Sequence, residues 1–292
     1  MSNPVKLITP FELDHPEEPF PIDLYGQRFL AQGDSWFSIG AIPPWLTTNV
    51  LMELRTARRA VAVNCAVPGA VLRRMVDNVR ARPFMNLLSG NIARKWDAVL
   101  ISGGGNDLIE AIGSAPGSPR DKRLLLTAAE RNGTGAASCL SDEGWQTFST
   151  YLDAVFNGLM DLRDRGANQL TPLLLHTYAE LRPRPAPAGP DLGPWLLPAM
   201  QAFEVPEAQW MAVGQLLMRR LGALLSTLAA ERQAAHPAAG EIHVVDTQAA
   251  HLVPADAGST GASGDWANEI HPLPDGYAKI ASEWAPVIDA LP

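Results

Sequence analysis

The sequence predicts an α/β domain: a three-layer α/β/α sandwich around a central five-stranded, mainly parallel sheet. Two observations lead there. Short apolar runs suited to buried strands alternate five times with helical stretches, and the connections are long enough for the crossovers that parallel neighbours require. The residues able to carry chemistry also fall just after the ends of those runs, where open parallel sheets collect ligands.

Taken in order, residues 1–26 are rich in Pro, Asp and Glu and read as an arm lying over the domain rather than as part of its sheet. The domain proper spans 27–292. Its first strand, 28–31, runs into Gly33-Asp34-Ser35-Trp36, where a glycine lets the backbone turn sharply before a serine. Residues 49–56 have helical character, 59–63 form a second apolar strand, and 64–69 make a loop. Val71, Leu72, Met75, Val76 and Val79 then recur at helical spacing. The third strand, 97–102, reads as buried on both faces and ends in a glycine loop. Trp145, Phe148, Leu152, Val155, Leu159 and Leu162 form the stripe of an amphipathic helix. A fourth strand, 170–176, contains Pro172, which suits its first residues better than its centre. A proline-rich insertion at about 181–198 is neither helix nor strand for much of its length. A long helix over 206–233, a fifth strand at 241–246 and a C-terminal helix at 277–288 complete the chain.

Composition narrows the function. The chain has 292 residues, 47% of them hydrophobic and 18% charged, a balance that supports a large core. A formal charge of -8 without basic clusters argues against nucleic acid, because phosphate binding needs a concentrated cationic face. Cys65 and Cys139 are too few for a disulfide framework and lack the spacing of a zinc site, so both are expected as reduced thiols. No basic leader precedes an apolar core at the N-terminus, and no apolar run reaches the roughly 18 residues of a membrane span. The expected location is therefore the cytoplasm. The glycine run lacks the lysine of a phosphate-binding loop, and no metal or other cofactor is called for.

Four segments project from one sheet edge: Ser35 after the first strand, Gly69 after the second, Gly104-Gly105-Asn106-Asp107 after the third, and His271-Pro272 after the fifth. Acyl transfer needs a hydroxyl nucleophile, an imidazole to take its proton, and donors aimed at the developing oxyanion. Taken alone, Gly-Asp-Ser is an ordinary strand-ending turn. In the chain order Ser, Gly, Asn, His it resembles the SGNH hydrolases, also called GDSL esterases and lipases, over about 29–277.

The resemblance implies a flavodoxin-like fold, Ser35 as nucleophile, His271 as general base, and an oxyanion hole made by the Ser35 and Gly69 N–H groups and the Asn106 amide. It also implies cleavage of a carboxylic ester or thioester. One block departs from the family's Asp-x-x-His-Pro: three residues before His271 stands Asn268. Three readings of the histidine's partner follow. Asn268 orients the ring as an amide, Asp265 loops back as an alternative acid, or Glu269 supplies the charge; Asn268 is preferred. Asp107, His176 and His243 read as structural. Trp36, Trp195 and Leu196 are candidate substrate-pocket residues, the latter two placing the insertion over the pocket. The alternatives are a carbohydrate O-deacetylase of the same fold, or a non-catalytic lipid- or carbohydrate-binding protein that has lost its triad acid. A small-molecule ester is the expected partner, and the oligomeric state is not legible.

Overall fold

The computed structural model describes residues 2–39, 48–77 and 81–292, so the expected helical position Val79 lies outside the described residues. The sheet is built from β1 (Lys6–Ile8), β2 (Gln27–Gly33), β3 (Ala60–Asn64), β4 (Ala98–Ser102), β5 (Leu173–His176) and β6 (Ile242–Val245). Every neighbouring pair is parallel, in the order β1-β3-β2-β4-β5-β6. The sheet thus has six strands among the described residues, not five, and part of the N-terminal arm belongs to it. Lys6, Leu7 and Ile8 pair with Val61, Ala62 and Val63. Three residues between two prolines are too short to show a strand's alternation, so β1 is visible only once its partner is in place.

The crossovers are helical. α1 (Ser35–Ser38) is a single turn, α2 (Gly105–Ile112) follows β4, and α3 (Asp142–Arg163), α4 (Trp210–Ala235) and α5 (Pro274–Asp289) are the long helices. Phe148, Leu152 and Leu159 of the expected stripe are buried on α3, as are Val213, Leu217, Leu221 and Leu228 on α4. β4 is buried along its whole length and β2 at all but Arg28, so helices cover both faces of the sheet. The helical signal at 49–56 resolves into Val50–Glu53 followed by Arg55–Thr56, which pairs antiparallel with Asn3–Pro4. The fourth strand starts after Pro172, leaving Leu170 exposed.

This topology places the site. From β2 the chain crosses to β3 on one side and then to β4 on the other, so the connections after β2 and β4 leave in opposite directions. The crevice between them is the switch point at which parallel sheets open to ligands. Ser35 follows β2 and Asn106 follows β4.

Gly33 of β2 pairs with Ser102 of β4. A Cβ at position 33 would lie 2.7 Å from the Ser102 Cβ and 3.0 Å from the Ser102 carbonyl oxygen. Gly33→Ala should therefore destabilise the fold by roughly 1–3 kcal/mol through overpacking. Urea unfolding measures this, and a variant as stable as the parent would contradict so close an approach.

Candidate active site

Asp34 sits between β2 and α1 in extended conformation and caps the helix: its Oδ1 accepts the Trp36 N–H at 2.9 Å. That capture leaves Ser35 as the first helical residue, whose own N–H has no intrahelical acceptor. The same Oδ1 accepts from the Ser102 hydroxyl at 2.7 Å, and Oδ2 from the Tyr178 hydroxyl at 2.5 Å. Burial lifts the Asp34 carboxyl to about 6, with these hydrogen bonds opposing it, so the group is largely ionised at neutral pH. Ser102 Oγ also lies 3.0 Å from His176 Nε2. Because the Ser102 proton goes to Asp34, His176 donates from Nε2, leaving Nδ1 to face the Thr247 hydroxyl at 3.4 Å. Burial pushes His176 down to about 3, so it is neutral, enclosed by the rings of Trp36, Phe37, Tyr178 and Trp284. His176 is a fixture beneath the Ser35 turn.

His271 reaches this turn from the opposite end of the sequence. Its Nε2 lies 2.9 Å from Ser35 Oγ, and its Nδ1 lies 3.0 Å from Asn268 Oδ1. An amide could present either its oxygen or its NH2 to the ring, and the backbone decides which. Asn268 Oδ1 also accepts the Ile270 N–H at 3.1 Å and the His271 N–H at 2.9 Å, so only the oxygen end fits there. The ring proton is thereby held on Nδ1, and the Nε2 lone pair faces the serine hydroxyl. An ionised aspartate would hold the same tautomer and would also stabilise the imidazolium. A neutral amide does not, and burial pushes His271 down to about 4.

The other two candidate acids serve elsewhere. Asp265 is corrected first: its Oδ2 takes the Val253 N–H and the Lys279 ammonium, both at 2.6 Å. Burial raises its carboxyl, but these partners outweigh burial and hold it below the ordinary value. Glu269 accepts backbone N–H groups from Arg184, Trp195, Leu196 and Leu197 and points away from the ring. Trp195 is corrected as a pocket residue. Its ring stands edge-on to His271 with centroids 5.4 Å apart, outside the cleft beside Ser35.

Asn106, on the first turn of α2, donates one Nδ2 hydrogen to the Ala70 carbonyl at 3.2 Å and keeps a second. Asp107 ties the same two loops, accepting the Leu72 N–H at 2.8 Å and the Tyr151 hydroxyl at 2.6 Å, which is a structural role. Gly69 is exposed at the tip of its loop with φ +72, a conformation that favours glycine.

A narrow cleft opens beside Ser35, walled by Trp36, Tyr178, Leu108, Ile109, Ile112, Leu181, Leu196, Met218 and Ile270. Trp36 is fixed there by its Nε1–H, which donates to the Ile270 carbonyl at 3.2 Å. The sequence reading missed Ser102 and Tyr178. For Ser102 the signal was present, a hydroxyl at the C-terminal end of a buried strand. Among the described residues no group of three or more His, Cys, Asp or Glu side chains could hold a metal ion. Nor is any helix among them long and apolar enough to cross a membrane.

No protein-family model matches the chain, and no curated protein does. Solved structures similar to it include an acetylxylan esterase from Geobacillus stearothermophilus, at 17% identity over 90% of this chain and 94% of that one, TM-score 0.46. Another is phospholipase A1 from Streptomyces albidoflavus, at 14% identity over 91% of this chain and 99% of that one, TM-score 0.45. The chemistry is read from the side chains themselves.

Two pH effects follow. His271 and His176 are held below their ordinary values, so the stability gained by burying them neutral is present above about 6.5 and is lost as pH falls toward 4 and 3. Asp34, Asp107 and Glu269, held above their ordinary values by burial, work the other way, and Glu12, Glu130 and Asp265, held below theirs, add to the loss on acidification. The unfolding temperature should therefore fall on acidification through this range. Asn268→Asp places an anion against Nδ1 and should move the acid limb of kcat/KM upward by at least roughly one unit. An unmoved limb in the pH–rate profile would mean that position 268 does not face the ring during turnover.

Proposed function

We propose that this chain is a serine hydrolase of the SGNH type, cleaving carboxylic esters or thioesters through an acyl-enzyme on Ser35. One observation carries the reading: a serine hydroxyl 2.9 Å from an imidazole nitrogen whose tautomer is fixed from the far side of the ring. Ser35 Oγ attacks the substrate carbonyl carbon while His271 Nε2 takes the hydroxyl proton. The oxygen of the tetrahedral intermediate is met by the Ser35 N–H, the Gly69 N–H and the free Asn106 Nδ2 hydrogen. His271 then returns the proton to the leaving alcohol or thiol, and water repeats the sequence on the acyl-serine.

The apolar walls of the cleft favour an acyl chain as the group held beside Ser35. A second reading, removal of acetyl groups from a carbohydrate, draws on a neighbouring groove of mixed polarity that shares Leu181 with the cleft. That groove is lined by Glu180, Arg182, Gln215, Asp246 and Gln248, which suit hydroxyl groups.

Ser35→Ala is expected to abolish hydrolysis of p-nitrophenyl esters and labelling by a fluorophosphonate probe, which reacts only with an activated serine. Asn106→Ala should lower kcat by about 10²- to 10³-fold, the usual loss for one oxyanion donor. Full activity in the serine variant would sink the assignment, and a wild-type chain that resists the probe would point to a binding protein. Acyl esters and acetylated sugars assayed side by side separate the two enzymatic readings.

A further inference from the structure

Glu269 lies beside Asn268, is 1% exposed, and is bonded to backbone N–H groups rather than to a cation. Oε1 accepts from Arg184 at 3.1 Å and Leu197 at 2.9 Å; Oε2 accepts from Leu196 at 2.8 Å and from Trp195. Both ends of the proline-rich strap at 184–197 therefore converge on one carboxylate. The strap ties back in return. Ala186 offers its carbonyl to the Glu269 N–H at 2.9 Å, and the Arg184 guanidinium donates to the Asn268 carbonyl at 2.7 Å.

Burying a carboxylate is costly, and hydrogen bonding has to offset that cost. Ala186, Ala188 and Leu192 donate to carbonyls inside the strap, but the N–H groups at its two ends take acceptors from outside it. A carboxylate has about four acceptor sites and meets four donors here. An apolar residue at 269 would leave all four unpaired.

The consequence reaches the chemistry on two sides. The strap carries Trp195, whose ring abuts His271, and Leu196, which walls the cleft beside Ser35. The residue preceding Glu269 holds the His271 ring proton. A single buried group thus fixes the wall that faces an acyl chain and the loop that aims the base.

We infer that Glu269 is a positioning residue for the hydrolysis proposed above, locking the strap onto the histidine loop as a fixed wall that selects the acyl group. The inference rests on the ester-hydrolase reading. Under it, the strap is not a lid, and acyl selectivity and the placement of His271 are coupled.

The test uses the full chain and its Glu269→Gln, Glu269→Asp, Leu196→Ala and Trp195→Ala variants. Readouts are kcat and KM on p-nitrophenyl acetate and hexanoate, the rate of fluorophosphonate labelling at Ser35, and thermal unfolding. Glu269→Gln turns an NH2 toward backbone donors; kcat should fall about 10- to 100-fold through misplacement of the base. The hexanoate-to-acetate ratio of kcat/KM should fall on the order of 10-fold as the wall loosens. Glu269→Asp, which keeps the charge, should recover part of both.

If Glu269→Gln does not fold, the strap residues carry the test. Leu196→Ala should change KM for hexanoate with kcat nearly kept, and Trp195→Ala should lower kcat with KM nearly kept. A folded Glu269→Gln protein with the parent's ester ratio and labelling rate overturns the inference, as do strap variants without that split. A wild-type chain that hydrolyses neither ester and takes no label at Ser35 overturns the hydrolase reading itself.

Discussion

The site depends on the buried carboxylate of Asp34. It takes the Trp36 N–H, the Ser102 hydroxyl and the Tyr178 hydroxyl, and so joins the Ser35 turn to the end of β4 and to the segment that follows β5. Capturing the Trp36 N–H also leaves the Ser35 N–H free for another acceptor. The His176 ring behind Ser102 gives the carboxylate a rigid, fully hydrogen-bonded backing. A half-satisfied network at that depth would be worse than an apolar one, because the low dielectric that strengthens each bond also raises the cost of an unmade one.

Against this anchored serine stands the His271 imidazole, steadied without charge. In a Ser-His-Asp triad the carboxylate does two jobs, fixing the tautomer and stabilising the imidazolium. Asn268 retains the first because two backbone N–H groups force its oxygen toward the ring. It gives up most of the second. Burial holds the His271 ring well below the ordinary histidine range. Under the proposed hydrolysis, the site therefore leans on orientation more than on charge.

Much of the architecture was legible from pattern. Strands β2 to β6 and the long helices announce themselves because burial imposes a periodicity that a chain cannot hide. The edge strand β1 did not, since three residues carry no period and its hydrogen-bond partner is more than fifty residues away. The site followed the same division. Ser35, Asn106 and His271 were found from residue type and from their position after strand ends. Ser102 and Tyr178 matter only through contacts with Asp34 that sequence distance conceals.

By itself, then, the sequence determined the fold class and the order in which Ser35, Gly69, Asn106 and His271 leave the sheet. These follow from apolar spacing and from the chemistry each residue type permits. Only the tertiary structure decided among Asn268, Asp265 and Glu269. All three lie within six residues of His271, and their spacing alone does not separate them. What separates them is which donors surround each oxygen: the His271 ring and two loop amides for Asn268, Lys279 and Val253 for Asp265, the strap for Glu269. A side chain's role in a loop is set by the partners that folding brings to it, and those partners come from distant parts of the chain.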